Sequence, residues 1–270
     1  MRIAVIGRGL IGGSLEKAAR RAGHETAIYA GRGPSPDVSG ADVVFVALPL
    51  SATVPAVEAL AAGGTLKDGA LVVDVAGVKG PVSAALAKYA AGRWRFVGGH
   101  PMAGKEKTGY ANSTETLFDG ASMILTPYPD TPPEDVEKLR ALFASLGFAR
   151  TVLADPATHD RKIAYTSQLC HLVSSAYLRD ELYGMHDGFS AGSFRDLTRV
   201  GAPDPEIWTE LFMANREELF DAAKRFAGRM QAFCRALESG NPEAMERMLA
   251  EGVRAKEGAP EKGVFGDYEA

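Results

Sequence analysis

The hexapeptide Gly7-Arg8-Gly9-Leu10-Ile11-Gly12 restricts the folding of this chain more than any other feature. It follows a short apolar run, RIAVIG (2–7), and opens a helical pattern that continues to about Ala22. In that strand-to-helix context each glycine of G-x-G-x-x-G has a mechanical task. The first permits a tight turn, the second lets a pyrophosphate approach the backbone, and the third lets helix pack on strand. The helix start adds unpaired N–H groups, those of Leu10 and Ile11 among them, and a partial positive charge. The pattern predicts a dinucleotide site built from Gly7, Gly9, Leu10, Ile11 and Gly12.

The rest of the first half keeps the same alternation. Apolar runs at 25–30, 41–50, 69–77, 94–101, 121–127 and 149–155 read as strands. Helical stretches at 55–63, 81–92 and 132–146 lie between them. Short, nearly continuous hydrophobic strands separated by helices indicate a parallel sheet covered on both faces. After Asp155 the spacing changes to a 3.6-residue period, as in 163–182 and 216–240, and β-branched alternation fades. The expected architecture is a Rossmann-type, doubly wound α/β domain over 1–155, then an all-helical domain over 156–256. A polar, loose tail is expected over 257–270, with the helical pattern ending near Arg254.

Composition removes several function classes. The 270 residues carry a net charge of −4, which offers no electrostatic grip on nucleic acid or on a membrane surface. No apolar run approaches the roughly 20 residues a membrane span needs. The N-terminal residues enter a strand at once, without a signal-type segment. Cys170 and Cys234 show no metal-ligand spacing, so neither a metal nor a disulfide framework is expected. A cytoplasmic protein acting on a small molecule is the expectation.

The cofactor can be read more finely at the end of the second strand. An Asp or Glu there normally accepts hydrogen bonds from the adenosine ribose 2′-hydroxyl. This chain instead has Ala30, Gly31, Arg32 and Gly33. Small residues and an arginine admit and pair with a 2′-phosphate that a carboxylate would repel. NADP is therefore favoured over NAD, with Arg32 as its phosphate ligand; a solvated Arg32 and a site indifferent to the cofactor is the opposing reading.

His100, in GGHPMAGKEKTGY (98–110), follows a strand at the expected carboxyl edge of the sheet. That position makes it a candidate for acid–base work beside a nicotinamide. Five blocks in order now resemble the prephenate/arogenate dehydrogenase family of tyrosine biosynthesis. They are GRGLIGGS (7–14), DVAGVKG (74–80), GGHPMAGKEKTGY (98–110), HDRKIAYTSQLCH (159–171) and SFRDLTRVGAPDPEIW (193–208). The resemblance implies oxidative decarboxylation of prephenate to 4-hydroxyphenylpyruvate, or of arogenate to tyrosine. It implies His100 as the catalytic histidine, Arg199 and His171 as substrate-binding residues, and Glu106 near the site entrance. Arg195 lies one helical turn before Arg199 and is the weaker candidate. His159 matches a further histidine read as structural, capping the helix that follows, and Trp208 is read as packing between helices.

Two positions depart from the family pattern. Gly77 stands where a serine often aligns substrate and the catalytic histidine, and Cys170 replaces a proline and is read as a packing residue. The helical half, with Leu, Phe, Met and Ala spread around 211–233, carries more apolar surface than one bundle of its size would bury. That surplus predicts an interface, and the resemblance makes it a homodimer. Two other readings stay open. One is a pyrroline-carboxylate or β-hydroxyacid reductase, which would lack the HPMAGKE block. The other is a non-catalytic NADP-binding sensor, which would bind cofactor without turnover. Between prephenate and arogenate, an acceptor for the arogenate ammonium would decide, with Asp196 and Glu106 the conceivable groups.

Overall fold

A computed structural model of the chain describes residues 1–31, 36–105 and 107–258. These residues form two compact units, one ending at Asn215 and one beginning at Arg216.

The first unit is organised by a seven-stranded sheet. Its strands are β1 (Arg2–Ile6), β2 (Glu25–Tyr29), β3 (Val43–Val46), β4 (Leu71–Asp74), β5 (Arg95–Pro101), β6 (Ser122–Thr126) and β7 (Arg150–Leu153), in the order β2-β1-β3-β4-β5-β6-β7. Side chains along each central strand alternate between two separate cores. Ile3, Val5, Val43, Phe45, Leu71, Val73 and Val97 face one side. There they meet Leu15, Ala18 and Ala19 of α1 (Leu10–Arg21), and Leu139, Leu142 and Phe143 of α4 (Pro133–Ser145). Ala4, Ile6, Val44, Val46, Val72 and Phe96 face the other side, against Val57 and Leu60 of α2 (Leu50–Gly63) and Val82 and Leu86 of α3 (Gly80–Leu86). Burial on both faces is why these strands are continuously hydrophobic.

The sheet is not wholly parallel. β6 runs antiparallel to β5, while every other neighbouring pair is parallel. Between β5 and β6 the described chain carries one short 3₁₀ turn, Tyr110–Asn112, and no crossover helix. A return without a crossover places the next strand antiparallel. α2 also starts earlier than the proline at 55 suggested. It begins at Leu50 and keeps Pro55 inside, so the Ser51 carbonyl forgoes the bond that residue 55 would have donated.

Beyond β7 all described residues are helical or irregular: α5 (Pro156–Ile163), a π-helical turn (Ala164–Gln168), α6 (Leu169–Tyr177), α7 (Gly192–Thr198) and α8 (Pro205–Ala214). In the second unit, α9 (Arg216–Glu238) and α10 (Pro242–Gly258) form a hairpin. α10 passes the expected limit at Arg254 and reaches Gly258. None of the described helices is long and apolar enough to cross a membrane.

A buried ion pair pins the loop after β4. Lys79 and Asp74 have no exposed side-chain surface; Lys79 Nζ donates to the Asp74 carboxylate and, at 2.6 Å, to the Gly99 carbonyl on β5. Asp74 also accepts the Ala76 N–H at 3.0 Å and the Gly99 N–H at 3.2 Å. The two glycines before His100 follow from this packing. A Cβ at Gly99 would lie 2.7 Å from the Asp74 carbonyl oxygen, and one at Gly98 would lie 2.2 Å from Thr126 Oγ1 and 3.4 Å from Lys79 Cδ. Replacing Lys79 by methionine leaves Asp74 charged and unpaired without solvent. The expected loss of unfolding free energy in urea is about 3–5 kcal/mol, and a loss below ~1 kcal/mol would contradict this role for the pair.

Candidate active site

The phosphate loop has the geometry its sequence demands. Gly7 adopts φ +114°, and a Cβ there would sit 2.0 Å from the Ala47 carbonyl oxygen. A Cβ on Gly12 would sit 2.0 Å from the Gly7 carbonyl oxygen, so helix and loop touch through bare backbone. Around Gly9, by contrast, an added Cβ would meet nothing within 4 Å. That open side lies at the start of α1, which has no capping side chain and no acidic residue in its first turn. The N–H groups of Leu10, Ile11 and Gly12 begin the helix without intrahelical partners. Unclaimed donors, a positive helix end and room beside Gly9 fit a pyrophosphate. At the end of β2, Tyr29, Ala30 and Gly31 supply no carboxylate, while Arg32 lies outside the described residues.

The loop after β5 folds back over α1. The Tyr110 ring fills the space a Cβ on Gly13 would need, at 2.6 Å, and lies under the Arg8 guanidinium at 4.8 Å. Lys17 Nζ donates to the Ser113 carbonyl at 2.8 Å, and the Thr114 N–H donates to Ser14 Oγ at 3.1 Å. Fastened this way, the segment that follows His100 is tied to the helix that would hold the phosphates. Nothing in the bare G-x-G-x-x-G pattern signals this attachment.

His100 sits on the last turn of strand past Val97, where β5 has lost its β4 partner and pairs only with Ile124 of β6. Its ring therefore faces the loop that carries Gly77. A Cβ on Gly77 would lie 3.7 Å from His100 Nε2 and 3.4 Å from Leu211 Cδ2. Glycine thus leaves a small gap between the imidazole and α8. Burial, then His159 and Lys79, hold His100 well below the ordinary histidine range, so the ring is neutral at neutral pH. His100 Nδ1 lies 2.9 Å from Nε2 of His159. His159 does not cap a helix as its sequence suggested. Asp155 caps α5 by accepting the Thr158 N–H at 2.9 Å, and His159 lies inside α5, 1% exposed.

A second group lines a cleft of about 390 Å³. His171 and Arg199 face it, with Lys105, Asp204, Ile207 and Trp208. His171 donates from Nδ1 to the Val200 carbonyl at 2.9 Å, which leaves Nε2 as its free lone pair when neutral. Burial pushes this ring below its usual value; the Val200 contact opposes that shift and Arg199 adds to it. Trp208 packs between α8 and α6, its ring centroid also 5.5 Å from that of Phe212, but it is not wholly enclosed there. It is half-buried in the cleft lining, its ring centroid 3.7 Å from that of His171. Asp204 is committed to capping α8, accepting from the Glu206 and Ile207 N–H groups at 3.0 Å. Sequence reasoning did not anticipate Lys105 or Asp204 in this lining, because neither lies at a recognisable helical spacing from Arg199. Glu106 lies outside the described residues.

α8 joins the two groups. Leu211 touches the Gly77 gap, Trp208 and Ile207 line the cleft, and Glu210 accepts the Ser51 N–H at the start of α2. Arg195 is exposed on α7 and is not among the lining residues. Cys170 is exposed as well as free, so its packing reading does not hold for this chain, and Cys234 is likewise free and exposed. Among the described residues no cluster of His, Cys, Asp and Glu could hold a metal ion.

Known proteins resemble this chain in sequence and in fold. Residues 5–153 match the family model for the prephenate dehydrogenase nucleotide-binding domain, and residues 155–251 match the prephenate dehydrogenase dimerization domain. The prephenate dehydrogenase of Bacillus subtilis (strain 168) is 30% identical over 228 residues, covering 83% of this chain but 61% of that protein. The chain therefore matches less than two thirds of that relative's length. Among solved structures, prephenate dehydrogenase from A. aeolicus in complex with hydroxyphenyl propionate and NAD+ superposes with a TM-score of 0.80. It is 26% identical, over 95% of this chain and 98% of that one. Synechocystis arogenate dehydrogenase superposes with a TM-score of 0.75 at 27% identity, over 95% and 99%. With both family models matched in order over nearly the whole chain, this protein belongs to the prephenate dehydrogenase family.

Proposed function

We propose that this chain is a nicotinamide-dependent dehydrogenase that converts prephenate to 4-hydroxyphenylpyruvate by oxidative decarboxylation. The observation that carries the reading is a neutral His100 whose Nε2 opens toward the Gly77 gap beside the cleft bearing Arg199 and His171. In this reading Gly7, Gly9 and Gly12 bring backbone against the pyrophosphate, and the N–H groups of Leu10, Ile11 and Gly12 bind it. The nicotinamide cofactor, when bound, accepts the hydride from the carbinol carbon. His100 Nε2 takes the hydroxyl proton as the carbinol C–H and O–H bonds give way to a carbonyl. The ring carboxylate then leaves as CO₂, the electrons of that C–C bond make the ring aromatic, and the former carbonyl oxygen, now a phenolate, takes back a proton from His100. Arg199 pairs with a substrate carboxylate, His171 donates or accepts beside it, and Glu106 borders the entrance. Gly77 leaves room for the carbinol without contributing a hydroxyl.

NADP is the favoured cofactor, because residues 29–31 offer no carboxylate to a ribose and Arg32 follows them. The functional division is a nucleotide-binding domain over 1–155, a substrate and dimerisation domain over 156–256, and a tail over 257–270. Phe220, Met230, Leu237, Leu249 and Val253 are exposed on α9 and α10, which supports a homodimer through this domain. Arogenate is the second substrate reading, supported by the likeness to the Synechocystis enzyme. The cleft lining supports prephenate first: its one carboxylate among the described residues, Asp204, already accepts two backbone N–H groups at Oδ1 as the cap of α8. A cytoplasmic location fits this chemistry.

Initial rates with prephenate and arogenate, each with NAD and NADP, test the reading. The highest kcat/KM is expected for prephenate with NADP; cofactor binding without turnover of either substrate would favour the sensor reading. Under the best pairing, His100→Asn should lower kcat by about 10²–10⁴-fold. Arg199→Ala should raise KM roughly 10- to 150-fold, the equivalent of about 1.5–3 kcal/mol for a charged hydrogen bond.

The depressed His100 titration also has a signed consequence. Below about pH 6.5 the unfolded chain takes up a proton that folded His100 refuses, so stability falls with pH by at most ~1.4 kcal/mol per unit. That contribution stops growing once pH passes below the folded value. The acid limb of kcat/KM should lie well under the ordinary histidine range, and His100→Asn should flatten the stability slope measured by urea titration. An acid limb at about 6.5 would contradict the burial of this ring.

A further inference from the structure

His100 is the end of a chain of three side chains. Its Nδ1 meets His159 Nε2 at 2.9 Å, and His159 Nδ1 meets Asp160 Oδ1 at 2.7 Å. The far end is fixed to backbone. Asp160 Oδ1 accepts the Lys79 N–H at 2.8 Å, Oδ2 accepts the Gly80 N–H at 2.7 Å, and the Asp160 carbonyl accepts from Asn215 Nδ2 at 2.9 Å. Asn215 is itself oriented by donating to Gln168 Oε1 at 2.8 Å. His159 and Asp160 are both buried.

Each link in this chain dictates the next. An ionised carboxylate only accepts hydrogen bonds, so Nδ1 of His159 must carry the hydrogen. A neutral ring with Nδ1–H has its lone pair on Nε2, which then accepts from His100. His100 must therefore donate from Nδ1 and keep its own lone pair on Nε2, the atom facing Gly77. Because residue 77 is glycine, that loop offers no side-chain hydroxyl to orient Nε2 from the substrate side. Control of the ring falls to its other nitrogen.

We propose that His159 and Asp160 are positioning residues for the reaction: two hydrogen bonds in series lock His100 in the Nδ1–H tautomer, with the Nε2 lone pair aimed at the substrate hydroxyl. The proposal rests on His100 being the proton acceptor. When Nε2 takes the hydroxyl proton, the Nδ1–H bond to His159 is kept, and the positive charge on the pair of rings is balanced by the Asp160 carboxylate. A wrong tautomer would present N–H to the hydroxyl and remove the acceptor.

The test uses the full-length protein labelled with ¹⁵N, without substrate, and reads the imidazole nitrogens of His100 by long-range ¹H–¹⁵N correlation. Wild type should show hydrogen on Nδ1. His159→Gln retains a carbonyl acceptor where Nε2 stood, and should keep the tautomer and keep kcat within about 10-fold of wild type. His159→Leu has no acceptor; hydrogen should move to Nε2 and kcat should fall about 10²–10⁴-fold with little change in KM. Hydrogen on Nε2 in wild type would overturn the proposal. So would a His159→Leu protein in which kcat falls while the tautomer is unchanged, since that is the behaviour of a packing residue. The nitrogen readout needs no turnover. A wild type inert towards prephenate therefore counts against the proposed reaction, while the tautomer still decides for or against the relay.

Discussion

The buried ammonium of Lys79 holds the active edge of this protein together. Its Nζ pairs with Asp74 at the end of β4 and donates to the Gly99 carbonyl next to His100, while the backbone N–H of the same residue donates to Asp160 of α5. Three elements distant in sequence meet at this residue. A buried pair is costly to desolvate and is supported only when its remaining hydrogen bonds are satisfied, as they are here by Ala76 and Gly99. The same constraint explains the paired glycines before His100, since neither position has space for a Cβ once Lys79, Thr126 and Asp74 are in place.

From that clamp the chemistry follows by placement. β5 extends past its β4 neighbour, so His100 turns toward the β4–α3 loop and not into sheet. The helices after β7 bring His159 behind the ring, while α8 brings Leu211 beside the gap in front of it and Trp208 to the cleft beyond. The back of His100 is thus polar and hydrogen-bonded, and the front is small and bare. Such a pocket suits an acceptor that must stay neutral, be rigidly oriented and meet a hydroxyl as it loses its proton.

Much of this was legible from residues alone, and the reason is local. Gly7, Gly9 and Gly12 recur at fixed spacing in one β-turn-α unit, so the pattern itself predicts them, although the close contact at Gly7 is with Ala47 beyond β3. The alternation of strands with amphipathic helices reports burial on both faces, which is a property of each segment separately. What sequence could not supply were contacts across long separations. Glu210 against Ser51, Leu211 against Gly77 and Asp160 against Lys79 have no signature in their own neighbourhoods. His159 was misread for that reason: a His-Asp pair near a helix start resembles a cap until Asp155 is found to do that work. The antiparallel β6 belongs to the same class, because an apolar run has no direction until its connection is known. Arg32 and Glu106, both inferred by pattern, lie outside the described residues and keep their assigned roles only as proposals.

The central claim is that hydride removal and loss of CO₂ are coupled at one site on one substrate. The most direct measurement is the stoichiometry of a single reaction mixture: prephenate consumed, reduced nicotinamide formed by absorbance, CO₂ released from substrate labelled in the ring carboxylate, and 4-hydroxyphenylpyruvate identified by mass. The account predicts all four in equal amounts. Reduced cofactor without CO₂, or CO₂ with phenylpyruvate and no reduced cofactor, would contradict it.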